Sequence, residues 1–185
     1  MFDNTYMLTI KYRQIYFKRE AMTKQLYEKI SRPFSQGTAK KLLLITNKLL
    51  TAIGYTAYPL MLVYMFFKAP EKLMAAILVP GTGFILLTFV RKAINRPRPY
   101  EALDITPIIK KDTKGNSMPS RHVFSMTEIA VTAFLLSPAV GGVLLFFSLA
   151  LAFIRVIGGV HYPTDVAAGI ISAVCWCSIL YMIFL

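Results

Sequence analysis

Residues 139–157 read AVGGVLLFFSLALAFIRVI, a run in which Arg155 is the only charged residue. This length is close to the roughly 20 apolar residues that a helix needs to cross about 30 Å of hydrocarbon. Four further apolar blocks occupy residues 42–66, 73–90, 123–136 and 166–185. The pattern predicts an all-α, polytopic membrane bundle of about five transmembrane helices.

The composition of the chain agrees with a membrane protein. Hydrophobic residues make up 56% of the 185 residues and charged residues only 16%, which leaves too little polar surface to cover a helical bundle in water. The net charge is +12, and the cations flank the apolar blocks. This placement favours membrane lipids and a lipid phosphate substrate as partners, rather than nucleic acid.

Two cysteines, Cys175 and Cys177, lie inside the last apolar block. Their spacing points them to different faces of a helix, so neither a disulfide nor a cysteine-based metal site is expected. We expect no metal and no cofactor, because no cluster of carboxylates suggests Mg²⁺ and no Cys/His set suggests Zn²⁺. The oligomeric state stays open.

The chain divides into a basic amphipathic N-terminal segment, residues 1–40, and a membrane domain, residues 41–185. In the first part, apolar residues from Leu8 to Ile30 recur at three- or four-residue spacing, with most lysines between them. This spacing predicts an amphipathic helix that lies in the membrane interface. A soluble helix or an irregular tail is the alternative.

Five spans would place three polar regions on one face of the membrane: the N-terminal segment, the loop at residues 91–121 and the connector at residues 158–164. Nearly every Lys and Arg of the chain falls on this face. The positive-inside rule therefore predicts a multi-pass protein of the cell membrane in which this face is cytoplasmic.

Three short segments at this face carry the groups that phosphate chemistry requires. They are residues 91–99, 119–122 and 155–165, and both histidines of the chain lie in them. Arginine offers a planar, permanently charged fork to a phosphate. One histidine could attack phosphorus while the other protonates the leaving oxygen. Asp165, four residues after His161, could hold the second ring nitrogen of that histidine.

Ser120, Arg121 and His122 come at the start of a predicted helix. The free N–H groups and the positive dipole end of such a helix can bind phosphate oxygens. Arg91 and Lys92 lie at the opposite border of the same loop. Three other cations of the loop are interpreted as a solvated face: Lys110, Lys111 and Lys114.

These segments resemble the type 2 phosphatidic acid phosphatase superfamily, which also includes vanadium haloperoxidases. The family pattern is Lys, six residues, Arg-Pro; then Pro-Ser-Gly-His; then Ser-Arg, five residues, His, three residues, Asp. The residues that match it are Arg98, Pro99, Pro119, Ser120, His122, Arg155, His161 and Asp165. Three segments in the family's order make the resemblance specific.

By this resemblance, His161 is the nucleophile that forms a phosphohistidine, Asp165 orients it, and His122 is the general acid. The resemblance also implies that the phosphoryl oxygens are held by Arg98, Arg155 and Ser120. The chain departs from the pattern at three places. Arg91 stands at the position of the family Lys, with Lys92 one place late; Arg121 replaces Gly; and Ile154 replaces Ser.

The expected function is metal-independent hydrolysis of a phosphomonoester or pyrophosphate of a lipid. Phosphatidate, phosphatidylglycerol phosphate and undecaprenyl diphosphate are the substrates considered. The alternative is a non-catalytic lipid-phosphate binding or transport protein on the same scaffold. Two charged residues fall inside predicted spans, Lys48 and Glu128, each about 10–12 Å from the catalytic face. Isolated charges at this depth are usually paired, so we expect these two to approach each other.

Overall fold

The computed structural model describes residues 23–185, and every regular element in this part of the chain is helical. Residues 23–31 form α1, which a short 3-10 turn at Arg32–Phe34 follows. The other helices are α2 (Gly37–Lys68), α3 (Pro70–Ile94), α4 (Pro99–Ala102), α5 (Arg121–Phe134), α6 (Pro138–Ile157) and α7 (Pro163–Phe184). The predicted all-α class is confirmed. Residues 1–22 of the predicted amphipathic helix lie outside the described residues, so its place in the interface and the division at residue 40 stay predictions.

Proline begins four of the helices, at Pro70, Pro99, Pro138 and Pro163. Its ring fixes a helical φ, and the N–H that it lacks would have no helical partner at this position. Helix α3 ends at Ile94, and the next residue, Asn95, has a φ of 40°, the left-handed conformation that closes many helices. Asn95, Pro99 and Pro163 lie at the end of the bundle that carries the candidate site residues, and Pro70 and Pro138 lie at the other end.

Four helices of the described part, α2, α3, α6 and α7, are long and apolar enough to cross a membrane. Helix α5 corresponds to the third predicted span, but its 14 residues cover only about 21 Å. It still runs between the two ends of the bundle. Lys72, at the start of α3, donates a hydrogen bond of 2.9 Å to the carbonyl oxygen of Leu135, just after α5. The expected five spans are thus four long helices around one shorter helix, which contacts all four of them.

Helix α5 is surrounded mostly by protein rather than by lipid, so it does not need the length of a lipid-exposed span. Its inward side chains pack with those of α2 and α6 into the main apolar core, whose buried members include Leu50, Met65, Val123, Met126, Ala130, Leu144 and Leu151. The outer faces of the long helices expose large apolar side chains, such as Phe67 (71%), Phe153 (71%) and Met182 (86%). An apolar outer surface of this extent fits contact with lipid tails.

One end of the bundle brings together α1, the loop between α3 and α5, and the connector between α6 and α7. The hydroxyl of Tyr27 in α1 donates to the carbonyl oxygen of Thr106 (3.2 Å), and the Ile109 N–H donates to Gly158 O (3.2 Å). Gly159, at φ +76°, lies so close to α1 that a Cβ there would be 2.6 Å from the Tyr27 hydroxyl. The described parts of the three regions that were predicted to share one face therefore lie at the same end of the bundle.

Within residues 23–185, no ion pair joins Lys48 and Glu128, which were expected to approach each other. Lys48 is exposed on the outside of α2, while Glu128 is 1% exposed inside the bundle. A lysine on a lipid-facing surface can extend its flexible side chain towards the headgroups, which removes the need for a buried partner.

Candidate active site

The three predicted segments meet around a pocket of about 250 Å³ at the end of the bundle that carries α1. Of the predicted site residues, those that line it are Arg91, Lys92, Arg98, Arg121, His122 and His161. Ser120, Arg155 and Asp165 do not line this pocket but are buried close to its walls. The cations make the pocket strongly positive, as the binding of a phosphate group requires.

Asp165 connects several parts of the site, and its side chain is fully buried. Its Oδ2 accepts hydrogen bonds from the Ser117 hydroxyl and from the Tyr162 N–H, the latter at 3.0 Å. Its Oδ1 forms an ion pair with Arg96 at 2.8 Å. The local sequence explains this position, because Pro163 starts α7 and the third residue of a helix can reach back to the preceding N–H.

His161 is 2% exposed, and its Nδ1 lies 3.4 Å from Asp165 Oδ2. Burial lowers the pKa of His161 to about 4; the hydrogen bond to Asp165 opposes this shift, and the positive charge of Arg98 adds to it. The imidazole is therefore neutral at pH 7. With Nδ1 directed at the carboxylate, Nε2 is the ring nitrogen that remains for a ligand in the pocket.

Two buried arginines join parts of the chain around the pocket, Arg91 to the loop before α5 and Arg98 to the connector between α6 and α7. Arg91 donates to the carbonyl oxygens of Asn116 and Pro119 through its two terminal nitrogens, and Arg98 donates to Val160 O at 3.1 Å. Lys92, in contrast, is exposed and lines the pocket edge.

Several buried arginine Nε atoms have no hydrogen-bond partner among residues 23–185, namely those of Arg91, Arg98, Arg121 and Arg155. Buried N–H donors are rarely left unpaired in folded proteins. A polyanion with several acceptor oxygens would supply the missing partners, so this set of donors fits a phosphate.

The start of α5 lies at the pocket wall, which Arg121 and His122 line. Ser120 precedes the helix, its own N–H bonds to Asp165 O at 2.9 Å, and its buried hydroxyl has no partner within the described residues. His122 follows in the first turn and faces the positive charges of Arg155 and Lys111. The predicted arrangement of a helix start beside two histidines is therefore present.

Three residues at the site were not predicted for it: Ser117, Arg96 and Lys111. Ser117 and Arg96 hold Asp165, and Lys111 lines the pocket. Burial, reinforced by the charges of nearby arginines, lowers the pKa of Lys111 to about 8. The interpretation of the loop lysines as a solvated face is wrong for Lys111, which is half-buried at the pocket. Lys110 and Lys114 are exposed, although Lys114 also borders the pocket.

The structure shows why these loop residues reach the site. Both carboxylate oxygens of Glu101 accept from the Gly115 N–H, at 2.9 and 3.1 Å, and the Tyr100 hydroxyl donates to Thr113 O. These bonds fold residues 100–115 back over the pocket. The only sequence signal was the number of cations in the loop, which does not say which of them point inwards.

Residues 23–185 contain no group of three or more His, Cys, Asp or Glu side chains placed to hold a metal ion. The side chains that line the pocket are mainly nitrogen and hydroxyl donors, and none of them is a carboxylate. Donors of this kind bind the oxygens of an anion, whereas Mg²⁺ and Ca²⁺ require oxygen acceptors.

The sequence model of the PAP2 superfamily matches residues 72–185, a range that includes α4 to α7 and every predicted site residue. No curated protein sequence gives a significant match.

Two solved structures share the architecture. Aquifex aeolicus LpxE aligns with a TM-score of 0.68 and 22% identity, over 85% of this chain and 93% of that chain. The first transmembrane PAP2 type phosphatidylglycerolphosphate phosphatase from Bacillus subtilis aligns with a TM-score of 0.59 and 18% identity, over 89% and 94% respectively. At these identities the likeness establishes a common fold.

Proposed function

The chain belongs to the PAP2 superfamily, and from this premise we propose that it is an integral membrane lipid phosphatase that hydrolyses a phosphomonoester or pyrophosphate of a lipid. The observation that carries the proposal is the position of His161. Its Nδ1 is directed at the Asp165 carboxylate, and its ring lines a pocket of cations. Binding alone would need the cations but not an oriented, neutral imidazole.

The proposed reaction has two displacements. In the first, the Nε2 lone pair of His161 attacks phosphorus, and the P–O bond breaks with its electrons on the leaving oxygen. The negative charge of the bound phosphate favours a proton on His122, and His122 gives this proton to the leaving oxygen. In the second, water attacks the phosphohistidine and gives a proton to His122, while the N–P bonding electrons return to His161 and phosphate leaves. Asp165 stabilises the positive charge that develops on His161 in each step.

The proposed roles of the remaining site residues follow from their burial. Arg98, Arg155 and Ser120 would bind the phosphoryl oxygens, and their unpartnered polar atoms support this role. Arg91 is buried and bonded to the loop, which supports a part in shaping the pocket. Lys92 and Arg121, at the pocket edge, would contribute charge to the binding of the substrate phosphate.

We further propose that the reaction needs no metal, because the arginines and lysines supply the positive charge that Mg²⁺ supplies in other phosphoryl-transfer sites. The test is phosphate release from a panel of lipid phosphates in detergent with EDTA, for the wild type, His161→Ala and the control Lys110→Ala. The panel contains phosphatidate, phosphatidylglycerol phosphate and undecaprenyl diphosphate. We expect release that survives EDTA, disappears in His161→Ala and persists in Lys110→Ala.

Two results would contradict the proposal. Activity abolished by EDTA and restored by a divalent cation would remove metal independence. A folded wild-type protein that releases no phosphate from any lipid would favour the alternative of a non-catalytic lipid-phosphate binding or transport protein.

The proposed location is the cell membrane, with the pocket at the cytoplasmic face. The accumulation of cations at the α1 end of the bundle supports this orientation. A membrane-impermeant maleimide would report it through two single-cysteine variants, Lys110→Cys in the loop and Lys68→Cys at the opposite end, each made in a protein in which Cys175 and Cys177 are replaced by Ala. In intact cells we expect labelling of the second but not of the first, and the reverse pattern would place the pocket outside.

A further inference from the structure

An apolar groove leads away from the cationic pocket. A cavity of about 270 Å³ shares Arg121 and His122 with that pocket and continues between α2, α3 and α5. A second cavity, of about 310 Å³, extends it and shares five lining residues with it, namely Gly54, Tyr55, Phe84, Ser125 and Ile129. The groove therefore starts beside His122 and runs along α5 towards the middle of the bundle.

Two polar side chains lie in this apolar groove without a partner. Ser125 lines both cavities, Glu128 lines the deeper one, and neither Ser125 Oγ nor Glu128 Oε1 has a hydrogen-bond partner among residues 23–185. Gly83 makes room for the carboxyl group, because a Cβ at this position would lie 2.1 Å from Glu128 Oε1. The structure thus accommodates a buried acidic group that the proposed reaction does not use.

Glu128 is expected to be a neutral carboxylic acid. It is 1% exposed and forms no ion pair with any residue in the described range. An isolated carboxylate inside an apolar bundle is strongly disfavoured, so the group takes up a proton. In this form it can donate a hydrogen bond, as can the hydroxyl of Ser125.

We propose that Ser125 and Glu128 bind the ester carbonyl oxygens of a diacylglycerol phosphate, so that the groove selects acyl-ester lipids over polyprenyl lipids. This inference rests on the proposed lipid phosphatase function. It assigns a substrate class and two specificity-determining residues to the same site.

The positions along α5 match the dimensions of such a lipid. His122, Ser125 and Glu128 follow at three-residue steps, so the latter two lie about 4.5 Å and about 9 Å deeper than His122 along the helix axis. Helical side chains lean towards the N-terminus, which brings both polar groups back towards the phosphate. In a diacylglycerol phosphate the ester carbonyls lie about 6–8 Å from phosphorus, from bond lengths of about 1.5 Å. Both donors are therefore within reach of ester oxygens when the phosphate lies beside His122.

A polyprenyl tail offers no acceptor at this depth. It would fill the groove with hydrocarbon and leave a buried hydroxyl and a buried carboxyl group unpaired. Sites with hydrogen-bonding groups discriminate strongly against analogues that lack the matching atom, whereas apolar contacts alone discriminate weakly.

The test compares kcat/KM for three substrates in mixed micelles: dioleoyl phosphatidate, its dialkyl ether analogue without the ester carbonyls, and undecaprenyl diphosphate. The proteins are the wild type, Ser125→Ala, Glu128→Gln, Glu128→Leu and Glu71→Leu. Glu71 is an exposed residue at the far end of α3, so its variant controls for the loss of a carboxyl group. We expect the wild type to prefer the ester to the ether by about 10–100-fold. Glu128→Leu and Ser125→Ala reduce this ratio, and Glu128→Gln and Glu71→Leu keep it.

An ester-to-ether ratio near one in the wild type, or a preference for undecaprenyl diphosphate, would overturn the inference. Neither result depends on whether Glu128→Leu folds, and both leave the proposed phosphatase function intact. A wild type that hydrolyses none of the three lipids would instead count against the proposed function itself.

Discussion

The backbone N–H of Ser120 donates a hydrogen bond of 2.9 Å to the carbonyl oxygen of Asp165. This bond joins the residue before α5 to the first turn of α7. The side chain of Asp165 meanwhile lies 3.4 Å from the imidazole of His161. A single residue thus positions both the start of the helix that carries His122 and the second histidine, so the distance between the two histidines depends on it.

Replacing Asp165 by Asn should separate its two roles. The backbone bond to Ser120 is retained, but the negative charge that stabilises His161 is lost. In a serine protease, the equivalent change beside the catalytic histidine lowers kcat by about 10⁴-fold, and we expect a loss of about 10²–10⁴-fold here. Steady-state phosphate release measures it, with Asp112→Asn as the control because Asp112 is an exposed loop carboxylate. An Asp165→Asn variant within twofold of the wild type would contradict the role.

Ser117→Ala should lower kcat with little change in KM. The Ser117 hydroxyl donates to Asp165 and does not line the pocket, so its loss affects the orientation of the carboxylate rather than phosphate binding. A hydrogen bond to a charged carboxylate contributes about 1.5–3 kcal/mol, which corresponds to a loss of about 10–100-fold. The control is Ser172→Ala, since the Ser172 hydroxyl donates to Ala168 O within its own helix. A rise in KM at unchanged kcat would show instead that Ser117 contacts the substrate.

The lowered pKa of Lys111, about 8, predicts a decline of activity at alkaline pH. Below pH 8 the ammonium group is charged and attracts the phosphate; above it the neutral amine does not. We therefore expect kcat/KM, which reports the free enzyme, to fall as the pH rises through about 8. Lys111→Arg keeps its charge and should move this decline to higher pH. The same alkaline decline in both proteins would assign it to another group.

Gly169→Ala tests the contact between α7 and the start of α5. A Cβ at Gly169 would lie 3.0 Å from Ser120 O, a backbone atom that cannot move without shifting the helix start. We expect about a tenfold lower kcat, because a small misplacement of catalytic groups has a large effect on rate. Gly142→Ala is the matched control, since a Cβ at Gly142 meets nothing within 4 Å. Equal kcat in both variants would mean that the contact is not important for the site.

The sequence could predict those features of the site that depend on the spacing of residues near each other in the chain. His161 and Asp165 are four residues apart around the start of one helix, and this local geometry follows from the sequence alone. The membrane helices could also be predicted, because each depends on one continuous apolar block of the sequence. The length of α5 could not be predicted in this way, because an apolar run does not reveal whether lipid or protein surrounds the helix.

The contributions of Ser117, Arg96 and Lys111 depend on the path of the loop. That path is set by bonds between distant residues, such as Glu101 to Gly115 and Arg91 to the carbonyl oxygen of Pro119. No periodicity of the sequence encodes such contacts. Likewise, Lys48 and Glu128 were expected to pair because of similar depth, but depth does not determine the direction in which a helix face points.

The packing of α1 has a practical consequence for the engineering of shorter versions. Together with Tyr162, α1 residues Leu26, Tyr27 and Ile30 form a small cavity of about 30 Å³ behind His161. A truncated chain that starts at α2 would keep all the residues that face the substrate, yet it would open the rear of the imidazole to water. A shortened version that keeps the environment of His161 therefore has to include α1, although α1 contributes no reacting atom.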